Sequence, residues 1–170
     1  MAEDLLHDNG FNKVFSVAEQ REPDGLFPTV NFPNPEEDGA MDLVLELAES
    51  VEAAIACAND PDADRFAVAA RQQDTTYKML TGDQIGVLLA NYLLSLPHTK
   101  QQLVGNSIVS STLLAKVAKS HGATYFQTLT GFKWLANVGM QLEDDENEFL
   151  FAYEEALGYT IGTQVRDKDG

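Results

Sequence analysis

The sequence predicts an α/β fold, because short apolar runs of strand length alternate along the chain with segments of helical periodicity. Strands are expected over residues 14–18, 53–58, 66–70, 103–110, 123–129 and 149–153. Helices are expected over residues 41–51, 81–96, 112–120 and 132–140. Alternation of this kind is typical of helices packed on sheets.

The first two helices are indicated by local signals. Apolar side chains recur on one helical face at Met41, Val44, Leu45, Ala48 and Val51. Thr81 and Gln84 form a capping box, in which each side chain satisfies the other residue's backbone N–H. Pro97 cannot continue a helix, so the second helix ends before it.

Loops and breaks separate the other elements. Residues 21–35 hold four of the six prolines and predict an extended loop. Gly122 ends the third helix, Gly131 precedes the fourth, and residues 143–148 form an acidic turn. Since residues 97–100 follow a helix stop and precede a new strand, they predict two domains, 1–97 and 98–170.

The composition limits the partners of the chain. Eleven Lys and Arg stand against 27 Asp and Glu in 170 residues, a formal net charge of −16, which disfavours nucleic acids and anionic membranes. No apolar run is long enough to span a bilayer, and no secretory signal begins the sequence, so a cytoplasmic setting is expected. One cysteine, Cys57, excludes an internal disulfide and a cysteine-based zinc site.

The strongest functional pattern is Asp60-x-Asp62-x-Asp64-Arg65, in a loop between two predicted strands. Three carboxylates at this spacing can converge on a hard cation, although an acidic solvated turn has the same composition. A calcium EF-hand is excluded, because its required glycine and glutamate positions hold Arg65 and Arg71. Mg²⁺ suits an incomplete carboxylate shell, and Arg65 could bind a phosphoryl group or pair with an aspartate.

Two strand ends carry weaker signals. Glu154 and Glu155 follow the last predicted strand, where α/β sheets bind ligands, although acids also favour a helix N-terminus. Thr130, Gly131 and Phe132 lead from a strand into a helix, which is also the pattern of an ordinary βα turn. Lys168 lies in an Asp-Lys-Asp-Gly segment that could equally be a plain turn.

These segments, taken in order, resemble the alpha-D-phosphohexomutase family. The second domain of that family resembles residues 32–37, 58–65 and 81–84, and its third domain resembles residues 128–134, 151–159 and 167–170. The segments Thr-Gly-Phe-Lys-Trp (130–134) and Glu-Glu-Ala-Leu-Gly-Tyr (154–159) are similar to those of the phosphoglucomutase/phosphomannomutase members of the phosphopentomutase-like branch. The resemblance implies two small mixed-sheet α/β domains of phosphohexomutase type, each incomplete.

The resemblance also implies a reaction and a site. Members of the family move a phosphoryl group between two hydroxyls of a sugar phosphate, through a phosphoserine and a bisphosphate intermediate. It implies metal ligands Asp60, Asp62 and Asp64 for Mg²⁺, and catalytic residues Arg65 and Lys168. It implies substrate contacts from Thr130, Gly131, Phe132 and Glu154.

The chain departs from the family pattern at two points. Ala156 stands where many members have a sugar-contacting serine, and no Thr-Ala-Ser-His-Asn-Pro-type segment occurs. We therefore expect an inactive fragment of a mutase, lacking the catalytic serine domain and able to self-associate through exposed sheet edges. The alternative is a non-catalytic metal- or partner-binding module.

Overall fold

The computed structural model describes residues 2–169 and arranges them as two sheets with helices packed on them. The helices are α1 (Ala2–Asp8), α2 (Ala18–Arg21), α3 (Asp42–Ser50), α4 (Gly82–Ser95), α5 (Leu113–Ser120) and α6 (Phe132–Leu142). The strands are β1 (Ile55–Asn59), β2 (Phe66–Arg71), β3 (Tyr77–Met79), β4 (Gln101–Ser107), β5 (Thr124–Thr128), β6 (Asn147–Glu154) and β7 (Gly158–Ile161). The fold is the mixed α/β architecture that the sequence predicts. No helix within residues 2–169 is both long and apolar enough to cross a bilayer.

The first sheet is antiparallel, in the order β1-β2-β3. Helix α3 covers one face, where Ala48 packs against Ala56 and Ala69 in a small apolar cluster. Tyr77 secures the end of this helix, since its hydroxyl donates to the backbone oxygen of Ala48 at 2.9 Å. Helix α3 and strand β3 therefore support the hairpin formed by β1 and β2.

The second sheet has the order β5-β4-β6-β7, with β5, β4 and β6 parallel and β7 antiparallel to β6. Helices α4 and α5 contribute to one apolar cluster and α6 to the other, so the sheet has two separate cores. Gly86 lets α4 approach closely, because a Cβ there would lie 2.4 Å from the Tyr153 ring. The carboxyl ends of the parallel strands meet at one edge, where the predicted ligand residues lie.

The two sheets share their largest core. Met41 and Ala67 from the first half of the chain pack in one cluster with Leu157 and Tyr159 from the second, and Ile85 of α4 joins them. A backbone hydrogen bond joins the halves directly, from the nitrogen of Phe66 to the oxygen of Leu157 at 3.1 Å. The hairpin after β1 and the loop after β6 are thereby held beside each other.

The structure corrects several predicted elements. The strand predicted over residues 14–18 is wrong: residues 14–17 are irregular and α2 begins at Ala18, and within residues 2–169 no strand of either sheet pairs with this segment. Helix α1 and the short strands β3 and β7 were not predicted. Strand β4 ends at Ser107 rather than at residue 110, since Ser110 turns back to donate its N–H to the Ser107 oxygen. The division at residues 97 and 98 stays a prediction; α4 lies before it and packs on the second sheet.

Candidate active site

The acidic loop, residues 60–65, joins β1 to β2 and brings three carboxylates together. One oxygen from each of Asp60, Asp62 and Asp64 lies within 4.8 Å of the other two. The loop is shaped by its own hydrogen bonds: the Arg65 N–H donates to Asp60 Oδ1 at 3.1 Å, and Ala63 adopts a left-handed φ of 57°. The spacing seen in the sequence therefore becomes a convergent set of hard oxygen donors, which fits a divalent cation such as Mg²⁺.

Charge in the acidic loop is unevenly compensated. The Asp60 side chain is 8% exposed, and burial raises the pKa of its carboxyl. The hydrogen bond from the Arg65 backbone N–H acts to lower that pKa, and the neighbouring Asp64 carboxyl acts to raise it further. Burial also acts to raise the pKa of Asp64, but hydrogen bonds from Lys168 and with Asp60 outweigh it and leave that pKa below its ordinary value. Asp62 is exposed and makes no side-chain hydrogen bond within the described residues. A cation here would relieve the crowding of like charge.

Both predicted cationic side chains lie at the acidic loop. Lys168 Nζ is 2.7 Å from Asp64 Oδ2, and Arg65 Nε is 3.5 Å from Asp60 Oδ2. The buried Arg65 Nε has no hydrogen-bond partner within residues 2–169, so one donor of the guanidinium is unused. The Asp169 N–H donates to the Tyr159 oxygen at 2.8 Å, which holds the segment carrying Lys168 against β7. The two cations are thus in place beside the carboxylates.

The predicted sugar contacts form a second group at the end of the second sheet. Glu154 ends β6, and its Oε1 accepts a hydrogen bond from the Gly131 N–H at 2.5 Å. Gly131 has a φ of 117°, a conformation that side chains disfavour, so glycine is needed at this turn. Thr130 is exposed beside it. Phe132 is 6% exposed as a residue and belongs to a core cluster, so its side chain supports the turn from the core.

A continuous path of contacts links the two groups. Lys168 pairs with Asp64 through its ammonium, while its aliphatic stem packs over Gly158. A Cβ on Gly158 would lie 3.0 Å from both Lys168 Cδ and Phe132 Cε2, so the glycine seats both side chains. The structure therefore brings the predicted metal, catalytic and substrate residues into one region.

Sequence reasoning missed a polar network behind this region. Asp83, inside the capping box of α4, accepts from the Ser111 N–H at 2.6 Å and from the Tyr153 hydroxyl at 2.8 Å. Asn106, which is fully buried, donates to the Ser111 oxygen at 2.9 Å and accepts from the Tyr125 hydroxyl at 2.7 Å. The one available signal was a run of small hydroxyl residues, 110–112, that begins at the last residue of the predicted strand over 103–110.

Glu155 belongs to a second part of this network. Its carboxylate accepts from two buried serine hydroxyls, Ser107 at 3.0 Å and Ser110 at 2.7 Å. Burial raises the pKa of the Tyr153 phenol well above its ordinary value; the hydrogen bond from Asn106 opposes this, and the Asp83 carboxylate adds to it. These groups hold the edge of the sheet from which Glu154 projects.

Comparison with known proteins points to one family. The family model described as phosphoglucomutase/phosphomannomutase, alpha/beta/alpha domain II, matches residues 1–73, and that for domain III matches residues 81–170. A Haemophilus influenzae protein named "Probable phosphomannomutase" is 46% identical over 162 residues, covering 95% of this chain and 32% of that protein. A Saccharomyces cerevisiae phosphoribomutase is 44% identical over 163 residues, covering 91% of this chain and 26% of that protein. The chain thus spans about a third or less of the length of these relatives.

Solved structures show the same fold. A Burkholderia thailandensis protein of the phosphoglucomutase/phosphomannomutase family superposes with a TM-score of 0.71 at 19% identity, covering 87% of this chain and 30% of that one. Parafusin, a phosphoglucomutase of Paramecium, superposes with a TM-score of 0.62 at 26% identity, covering 81% of this chain and 23% of that one. The matches to both family models, together with these relatives, show that the chain belongs to the alpha-D-phosphohexomutase family of phosphoglucomutases and phosphomannomutases.

Proposed function

We propose that these residues supply the metal-binding loop and the sugar-binding loop of a phosphosugar mutase. The reaction moves a phosphoryl group between hydroxyls of a hexose or pentose phosphate, through a phosphoserine and a bisphosphate intermediate. The observation that carries the proposal is the convergence of Asp60, Asp62 and Asp64 at a point that Lys168 links to the loop of Glu154. Relatives named phosphoribomutase and phosphopentomutase support a sugar phosphate as substrate. A cytoplasmic setting belongs to the same proposal.

Each residue group has a chemical task in this proposal. The three aspartates would hold Mg²⁺, which would supply positive charge that stabilises the transferring phosphoryl group. Arg65 offers guanidinium N–H groups to a phosphoryl oxygen, and Lys168 holds a proton near the reacting hydroxyl. Glu154 accepts hydrogen bonds from sugar hydroxyls, and the turn formed by Thr130, Gly131 and Phe132 bounds the sugar pocket.

The phosphoserine is assigned to a part of the protein outside these 170 residues. Within them no Thr-Ala-Ser-His-Asn-Pro-type segment occurs, and the chain spans about a third or less of its curated relatives. We therefore expect the 170 residues to bind metal and sugar phosphate without turning the substrate over. Conversion of glucose 1-phosphate to glucose 6-phosphate by these residues alone would contradict that part of the proposal.

The metal site is tested most cleanly at Asp62, since this side chain makes no hydrogen bond to any residue in the described range 2–169. Titration calorimetry with Mg²⁺ should show binding to the wild-type chain and loss of about tenfold in affinity, about 1.4 kcal/mol, for Asp62→Asn. Asp145→Asn, in an exposed acidic turn, makes the same chemical change and should bind as the wild type does. Equal affinities for all three chains would refute the site.

A further inference from the structure

Two adjacent glutamates at the end of β6 make different contacts. The tight turn between β6 and β7 pairs Glu154 with Gly158 across the ladder and holds residues 155–157 at its tip. Glu154 contacts the Gly131 backbone, whereas the Glu155 carboxylate contacts the turn that follows β4. The proposed function uses Glu154 and leaves Glu155 without a task.

Glu155 is held by what we term the serine clamp, formed by Ser107, Ser110 and Glu155. Its Oε2 accepts from both hydroxyls, and its backbone N–H donates to Ser110 Oγ at 3.2 Å. Ser107 is fully buried, Ser110 is 6% exposed, and their Oγ atoms lie 2.9 Å apart. Only one hydroxyl can donate within this pair, so the other needs the Glu155 carboxylate as its acceptor. Glu155 makes no ion pair within residues 2–169, so the clamp needs an acceptor oxygen more than a charge.

The clamp has a rigid backing. A Cβ on Gly82 would lie 2.0 Å from the Glu155 carbonyl oxygen, so the first turn of α4 rests directly on the Glu155 backbone. Next to Gly82, Asp83 accepts the Ser111 N–H and ties the turn of the two serines to the same helix end. The turn that follows Glu154 is therefore held by the two serines through the Glu155 carboxylate and by the first turn of α4 through the Glu155 backbone.

We propose that Glu155 is a positioning residue: through Ser107 and Ser110 it holds the Glu154 carboxylate against the Gly131 N–H. The purpose of this arrangement, a sugar contact oriented before the sugar arrives, rests on the proposed function. The hydrogen bonds themselves do not. Without the serine clamp, the turn between β6 and β7 would sample alternative conformations, and the hydrogen bond from the Gly131 N–H to Glu154 would be formed a smaller fraction of the time.

Amide hydrogen exchange, measured by NMR on the 170-residue chain without sugar phosphate, tests the proposal. Glu155→Ala should speed exchange of the Gly131 amide about tenfold, the scale of one lost hydrogen bond to a charged group. The Val104 amide, in the buried strand β4, reports global opening and should change less. Glu155→Gln keeps an acceptor oxygen and should restore the wild-type rate at Gly131.

Two further chains complete the experiment. The double substitution Ser107→Ala with Ser110→Ala removes the clamp from the other side and should reproduce the effect of Glu155→Ala. Glu146→Ala, in the exposed acidic turn, should leave Gly131 unchanged. Unchanged Gly131 exchange in Glu155→Ala, or equal acceleration at Gly131 and Val104, would overturn the proposal. A wild-type chain that binds no sugar phosphate would contradict the proposed function instead, and would leave this result standing.

Discussion

Replacing Lys168 by methionine is expected to tighten Mg²⁺ binding to the acidic loop about tenfold. Lys168 Nζ lies 2.7 Å from Asp64 Oδ2, so the ammonium and a bound cation compete for the same carboxylate. Methionine keeps most of the apolar stem that packs over Gly158 and removes only the charge. The substitution therefore isolates the electrostatic competition.

The size of the effect follows from the separation and exposure of the pair. Two unit charges about 4 Å apart interact by about 1 kcal/mol in water and about 4 kcal/mol at an effective dielectric constant of about 20. The two side chains are 23% and 29% exposed, between these environments. The lower part of this range, about 1.4 kcal/mol, already corresponds to a tenfold change in affinity.

Titration calorimetry with Mg²⁺ on the wild-type chain, Lys168→Met and Lys119→Met measures the competition. Lys119 lies exposed in the last turn of α5, so its removal changes the net charge equally without freeing Asp64. Similar gains in both variants would mean that total charge, not the ion pair, controls binding. Unchanged or weaker binding by Lys168→Met would refute the reasoning.

Three further outcomes concern stability. Gly86→Ala should destabilise the chain by about 1–3 kcal/mol in urea unfolding, because its Cβ would overlap the Tyr153 ring 2.4 Å away; an unchanged midpoint would contradict this contact. Thr81→Ala should cost about 1 kcal/mol in the same assay, since the Gln84 N–H loses its cap at 3.2 Å. Burial raises the pKa of Tyr153 and of Tyr159, so above about pH 10 the unfolded chain releases phenolic protons that the folded chain retains. Thermal unfolding should then shift to lower temperature as pH rises past that point, whereas a shift absent up to pH 11 would argue against buried phenols.

Features set by nearby residues could be predicted from the sequence. The capping box and Pro97 mark the ends of α4 within a few residues of the signals themselves. The acidic loop likewise holds its three carboxylates within five residues, and the structure brings them within 4.8 Å. Residues 14–18 also have a local strand pattern, but no strand in the described part of the chain pairs with them, which shows where local pattern alone fails.

Features that depend on distant partners could not be predicted in this way. Ser107 and Ser110 lie 48 and 45 positions from Glu155, and only the order of strands β4 and β6 brings them together. Strand β7 has four residues and gains its definition from pairing with β6, not from its own pattern. Lys168 could be connected with the acidic loop only through the family resemblance.

The net charge of −16 raises the question of how this chain would accept an anionic substrate. The two site cations both lie against carboxylates: Lys168 is paired with Asp64, and Arg65 lies beside Asp60. Under the proposed function, these carboxylates would hold Mg²⁺, and the same two side chains would then be available to phosphoryl oxygens. Metal binding would then convert an acidic loop into a surface that presents positive charge. The competition that Lys168→Met is designed to expose is, in this view, what couples metal binding to phosphate recognition.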